Sequence, residues 1–177
     1  ASIDIKKYPK KNKLVEAMVD HFSDDPKFKR GLAKAETPFE AREELGCMMC
    51  DAFMNETGAE IAVENPGGVR LDSHPAGNIT VRDVLEMDPF DNHAVILELT
   101  GEEILRMLVT YSNNVLGSFP YVGGMKCEIT LDKTNPARYK SVQLLTPDGK
   151  KFNMKRKYRV VTNNYITATS KIPKGAA

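Results

Sequence analysis

Residues 45–70 read LGCMMCDAFMNETGAEIAVENPGGVR, and this stretch decides the architecture. Leu45, Met48, Met49, Ala52 and Phe53 recur at i, i+3, i+4, i+7 and i+8, the spacing of one apolar face on a helix. Gly58 stands where that helix should stop, because glycine enters the left-handed conformation of a helix C-cap without a Cβ penalty. Ile61–Val63 follows as a short apolar run, read as a buried strand, and Asn65-Pro-Gly-Gly-Val-Arg70 breaks it. A helix leading into a buried strand and then a glycine-rich loop is a unit of a domain in which helices pack on a sheet.

Outward from this stretch the pattern continues. Toward the N-terminus, Leu14, Val15, Met18, Val19 and Phe22 predict an amphipathic helix ending before Asp24-Asp25-Pro26. Residues 28–37 are ambiguous between helix and strand and lean to a strand. Residues 1–11 are polar and lysine-rich and read as a lead-in or linker, leaving 12–177 as the domain. Toward the C-terminus, Thr80 is placed to cap a short helix over Val81–Met87, which Asp88-Pro89 ends. A strand is expected over His93–Leu99. Thr100-Gly-Glu-Glu103 has the form of a capping box, opening a helix that carries Ile104, Met107, Leu108 and Tyr111. Strands are then expected over Met125–Leu131, Ser141–Leu145 and Tyr158–Thr162, with Pro147-Asp148-Gly149 as a turn. The fold class is α+β: one domain, a mixed β-sheet with packed helices.

The chain has 177 residues, 41% hydrophobic and 28% charged, enough for one globular domain with its own core. Its 25 basic and 24 acidic residues leave a net charge of +1, so no global field favours a polyanion and no nucleic-acid polymer is expected as partner. No apolar run reaches the roughly 20 residues that cross a bilayer. The opening Ala1-Ser-Ile-Asp has no charged region followed by an apolar one, so no signal peptide is read in it.

The three histidines, His21, His74 and His93, lie in no compact Asp-x-His or Gly-Asn-His motif of the kind a two-metal phosphoesterase needs. His74 and His93 are therefore read as structural or solvated. Cys47-Met-Met-Cys50 has zinc or redox spacing, but a structural zinc takes about four ligands and Cys127 is far away in sequence. The cysteines are read as small hydrophobes on a helix, with a redox or metal role left as the weakest alternative.

Three loops instead carry groups suited to binding. In the first, Gly67 and Gly68 let the backbone approach a ligand, Asn65 offers a donor and an acceptor, and Arg70 can clamp an anion. Asp88-Pro89-Phe90-Asp91-Asn92 supplies one aromatic ring, and Asn163-Asn164-Tyr165, read as a loop just past a strand, supplies another. Two such rings can sandwich a base.

Seven motifs occur in order: Glu44-Leu-Gly46 with Cys50-Asp-Ala52, Asn65-Pro-Gly-Gly-Val-Arg70, Gly77-Asn-Ile-Thr-Val-Arg-Asp83-Val, Asp88-Pro-Phe90-Asp-Asn, Glu98-Leu-Thr-Gly101-Glu-Glu-Ile, Tyr121-Val-Gly-Gly124 and Tyr158-Arg-Val-Val-Thr-Asn163-Asn-Tyr165. Together, from Arg42 to Tyr165, they resemble the C-terminal, substrate-binding domain of the 5′-nucleotidase family, which includes UDP-sugar hydrolases and 2′,3′-cyclic-nucleotide phosphodiesterases. The resemblance implies a nucleotide- or nucleoside-binding domain in which Asn65 reads the base, Arg70 contacts the ribose and phosphate region, and Phe90 and Tyr165 are the walls of the base sandwich. It implies that hydrolysis belongs to a separate dimetal metallophosphoesterase domain or chain. Divalent metals are then expected only there, no cofactor is expected in this chain, and the chain is expected to be inactive alone. It also implies an extracytoplasmic location, periplasmic or at the cell surface.

The departures from the family pattern are equally specific. Phe39 stands where the family carries a phosphate-binding Arg, for which Arg42 is the nearby substitute. The Asn of the family's Gly-Asn-Leu motif is replaced by Cys47, and Lys171 occupies the place of the ribose-binding Asp. These losses keep open a second reading, a degenerate family domain serving as an interaction or scaffolding module.

Overall fold

A computed structural model describes residues 11–114, 118–133, 135 and 139–170. Residues 1–10 of the lead-in and Lys171 lie outside the described residues. The helices are α1 (Lys13–Ser23), α2 (Arg42–Thr57), α3 (Val81–Met87), α4 (Gly101–Asn114) and α5 (Asn164–Thr169). The strands are β1 (Gly31–Ala35), β2 (Ile61–Glu64), β3 (Gly77–Thr80), β4 (Ala94–Thr100), β5 (Tyr121–Gly123), β6 (Lys126–Leu131), β7 (Tyr139–Leu145) and β8 (Lys157–Asn163).

A four-stranded mixed sheet in the order β4-β8-β2-β5 is the centre of the molecule. β8 runs antiparallel to β4 and parallel to β2, and β5 closes the sheet antiparallel to β2. On one face Ile61, Val63, Leu97, Leu99 and Val160 pack with Ile104, Met107, Leu108 and Tyr111 of α4, and Leu144 of β7 extends that core. On the other face Cys50 of α2 meets Ala62 and Val161, and Leu45 and Met49 continue over Val69 and Met87. Covered on both sides, β2 is buried at all its positions, which is why it reads as an apolar run rather than an alternation. The remaining strands form two separate antiparallel pairs, β1 with β3 and β6 with β7.

Local chemistry sets the boundaries. Gly58 ends α2 at φ 65°. Thr80 and Asp83 form a reciprocal capping box at α3, and Thr100 with Glu103 does the same at α4. Asn163 caps α5, its Oδ1 accepting from the Ile166 N–H at 2.9 Å.

Several expectations are corrected. The segment from Phe28 is first a 3₁₀ turn over Pro26–Lys29, because proline fixes its start, and becomes a strand only at Gly31. The short strands β3 and β5 were not anticipated; their three or four residues give too little periodicity to read. Asn163-Asn164-Tyr165 is not a loop but the cap and first turn of α5. Cys50 is buried as expected, but Cys47 is exposed. The apolar stripe of α1 covers no core: α1 has no buried residue, and Leu14 and Phe22 are exposed.

Candidate functional site

The two central parallel strands end side by side, and the site is built on their ends. Ala62 of β2 pairs with Val161 of β8, so Glu64-Asn65 and Asn163-Asn164 leave the sheet together. The crevice beyond the carboxyl ends of parallel strands is where α/β sheets place their ligands. Here it is a cavity of about 280 Å³ lined by Asn65, Gly67, Phe90, Asn92, Tyr111 and Tyr165.

Each lining residue is positioned by a short-range device. β4 joins β8 through the Ala94–Asn163 pair, which brings the Phe90–Asn92 loop beside α5. The join is closed by two hydrogen bonds: the His93 N–H donates to Asn164 Oδ1 at 2.9 Å, and the Asn164 N–H donates to the His93 carbonyl at 3.2 Å. The Phe90 N–H donates to Asp88 Oδ1 at 3.2 Å, fixing the turn that holds the ring out. Phe90 and Tyr165 keep 49% and 44% of their surface exposed, so neither ring is a core residue. Tyr111 rises from α4 at the opposite extreme, buried and with its phenol pushed up to about 12 by that burial.

Beneath the cavity lies a polar network. Nδ2 of Asn163 donates to Glu64 Oε1 at 2.8 Å and to Asn65 Oδ1 at 2.6 Å. Oε1 of Glu64 also accepts the Asn65 backbone N–H at 3.0 Å. With the Asn65 amide turned over, its oxygen would accept from the Gly68 N–H at 2.7 Å and its NH2 would reach Glu64 at 3.1 Å, but that NH2 would then face the Asn163 NH2 at 2.6 Å. Gly68 is required by this packing: a Cβ there would stand 2.7 Å from Glu64 Oε1 and 3.2 Å from the Asn65 amide. Burial pushes the Glu64 carboxyl up to about 7, against the lowering by its two N–H donors.

Of the residues singled out from sequence, Asn65, Gly67, Phe90 and Tyr165 line the cavity, and Gly68 packs under it. Arg70 is exposed at the rim, its guanidinium carbon 6.0 Å from the Phe90 ring centroid and Nη1 3.5 Å from the Gly67 carbonyl. Arg42 is not among the lining residues. It opens α2 and is engaged by Asp72, to which its Nε donates at 3.0 Å. Glu64, Asn92, Tyr111 and Asn163 complete the site without having been selected. The signal for Asn163 was its place in the Asn-Asn-Tyr motif, whereas Tyr111 was hidden by a helical periodicity that marks it as core. His74 is a buried structural residue, with Nδ1 2.7 Å from the Pro75 carbonyl and Nε2 3.6 Å from Asp83.

Among the described residues no three His, Cys, Asp or Glu side chains converge on a point that could hold an ion. No helix among the described residues is long and apolar enough to cross a membrane. A larger concavity, about 1290 Å³, lies between α1, the 3₁₀ turn and Arg82, and it contains none of the cleft residues.

Comparison with known proteins gives the family and the fold. The model of the family described as "5'-nucleotidase, C-terminal domain" matches residues 22–171. The trifunctional nucleotide phosphoesterase protein YfkN of Bacillus subtilis is 37% identical over 133 residues, covering 70% of this chain and 9% of that protein. Protein UshA of Yersinia enterocolitica is 32% identical over 121 residues, covering 68% of this chain and 21% of that protein. The crystal structure of a 5′-nucleotidase precursor from Thermus thermophilus superposes with a TM-score of 0.66 at 30% identity, over 88% of this chain and 33% of that one. The chain thus spans 9% and 21% of these two curated relatives' length.

Proposed function

The chain belongs to the 5′-nucleotidase C-terminal domain family, and from that membership we propose that its cavity binds the base of a nucleoside or nucleotide. In this reading Phe90 and Tyr165 stack on the base, Asn65 reads its edge with Gly67 and Gly68 allowing the close approach, and Arg70 meets the ribose or phosphate at the rim. The observation that carries the reading is that Asn65, Phe90 and Tyr165, from three separate segments, border one cavity. Its volume of about 280 Å³ is close to the ~300 Å³ at which small-molecule pockets begin. Its lining carries no formal charge, which suits a base rather than a phosphate.

The domain's contribution is orientation. A base held between fixed rings places the phosphate for attack in a separate dimetal metallophosphoesterase domain or chain, which supplies the metals and the hydrolysis. An extracytoplasmic location, periplasmic or at the cell surface, belongs to the same proposal. The engagement of Arg42 by Asp72 favours one second reading, a degenerate domain that has kept the fold as a scaffolding module. Calorimetry separates the two. Titration with nucleosides, nucleotides and nucleotide sugars should give saturable binding that the combined Phe90→Ala and Tyr165→Ala variant loses. A folded protein that binds none of them would leave the scaffold.

A further inference from the structure

The reading above makes no use of the carboxyl group beneath the cleft. Glu64 ends β2 and is completely buried. Oε1 holds the Asn65 N–H and the Asn163 NH2, while Oε2 is buried without a hydrogen-bond partner. Asn65 borders the cleft, and Asn163 caps the helix that carries Tyr165. One carboxyl oxygen therefore ties the Asn65 segment to the cap of α5. The titratable groups that face it are Asp88 from the loop after α3, Tyr111 of α4 and Cys50 of α2, none of them a cation. The nearest basic residue in sequence, Arg70, is exposed and directed at Gly67 and Phe90.

We propose that Glu64 is the positioning residue of the cleft, holding the Asn65 segment and the cap of the Tyr165 helix as one unit, and that ligand binding is coupled to the proton it carries. The network stands on the structure alone, and the choice of ligand rests on the nucleotide-binding reading.

With its carboxyl at about 7, Glu64 is populated in both forms near neutral pH. Ionised, its Oε1 is the stronger acceptor for the Asn65 N–H and the Asn163 NH2. Protonated, it leaves Oε1 as a neutral acceptor and places the proton on the unpartnered Oε2. The strength with which the Asn65 segment and the α5 cap are held thus follows the proton. A ligand filling the cleft excludes water from above the network and penalises the charged form further. Binding then takes up a proton, so affinity is full below the free protein's value and falls as pH rises through neutrality.

The test uses the full chain and adenosine, which does not itself titrate between pH 5.5 and 8.5. Calorimetry across that range should show the wild type binding roughly tenfold more weakly at the upper end, within the limit of one decade per pH unit for a single proton. Glu64→Gln keeps an acceptor for Asn65 and Asn163 and has no charge, so it should bind at every pH as the wild type does at low pH. Glu64→Ala should bind weakly throughout. Nuclear magnetic resonance of the Asn65 and Asn163 side-chain amides, with no ligand present, should show a titration near pH 7 in the wild type and none in Glu64→Gln. Amides that stay still while adenosine binds defeat this inference alone, as does an unchanged pH slope in Glu64→Gln. Amides that titrate while adenosine binds at no pH defeat the nucleoside reading and the coupling with it.

Discussion

Phe90 and Tyr165 leave nearly half of their ring surface in water, so truncating either removes little of the core. Stacking on a base is worth roughly 1–3 kcal/mol per ring. Phe90→Ala or Tyr165→Ala should each weaken nucleoside affinity by that amount, about 5- to 150-fold, while the melting temperature stays within a few degrees of wild type. Glu64 behaves oppositely, since it is buried and its ionisation costs stability. Its carboxyl lies at about 7 in the fold against 4.5 when solvated. Below pH 4.5 it is neutral in both states and contributes no difference. Between 4.5 and 7 the unfolded chain ionises first, so the fold loses stability progressively, and above 7 the loss is constant. Glu64→Gln should therefore stabilise the protein at pH 8 by up to ~3 kcal/mol, at 1.36 kcal/mol per pKa unit. The gain should vanish toward pH 4.5, as denaturant melts at both pH values would show. Asn65 and the two aromatics were legible in the sequence because each sits in an ordered motif. Glu64 was not: a charged residue closing an apolar run reads as the strand's wet end.

At the scale of the element, α2 shows how a motif glycine acts through packing. Gly46 sits where α2 crosses β5, and a Cβ there would stand 2.5 Å from Cγ of Tyr121. The ring cannot retreat freely, since Tyr121 belongs to β5 and packs against the clusters under α2. Gly46→Ala should cost about 1–3 kcal/mol, the range of overpacking in a core, despite alanine's better helix propensity. A thermal melt checks the sign. Similar logic explains which elements were readable. α3 was readable from its Thr80 cap, α4 from its capping box and α2 from its apolar face and glycine stop, because these are contacts within a few residues of chain. β5 and α5 exist through partners far away in sequence: Val63 and Glu64 pair with β5, and His93 and Asn114 hold α5. No local pattern marks such elements. The apolar stripe of α1 gave a correct helix and no information about burial, since periodicity specifies a face and not what covers it.

For the whole molecule, the expectation is a binding domain without hydrolysis of its own. Repurified protein given Mg²⁺, Mn²⁺, Zn²⁺ or Co²⁺ should release no phosphate from nucleoside monophosphates, and turnover that survives repurification would overturn the proposed division of labour. The sequence by itself determined the α+β class, the family and the order of the motifs. These follow from short-range propensities and from residue types that a backbone or a ligand demands at fixed places. Tertiary structure decided which of those motifs meet. The parallel pairing of β2 with β8 sets side by side two segments about 100 residues apart, and so creates the cavity and buries Glu64 beneath it. Arg42 is not in that lining, and its charge is engaged by Asp72. Convergence of this kind depends on strand pairing across long loops, a property that no window of sequence contains.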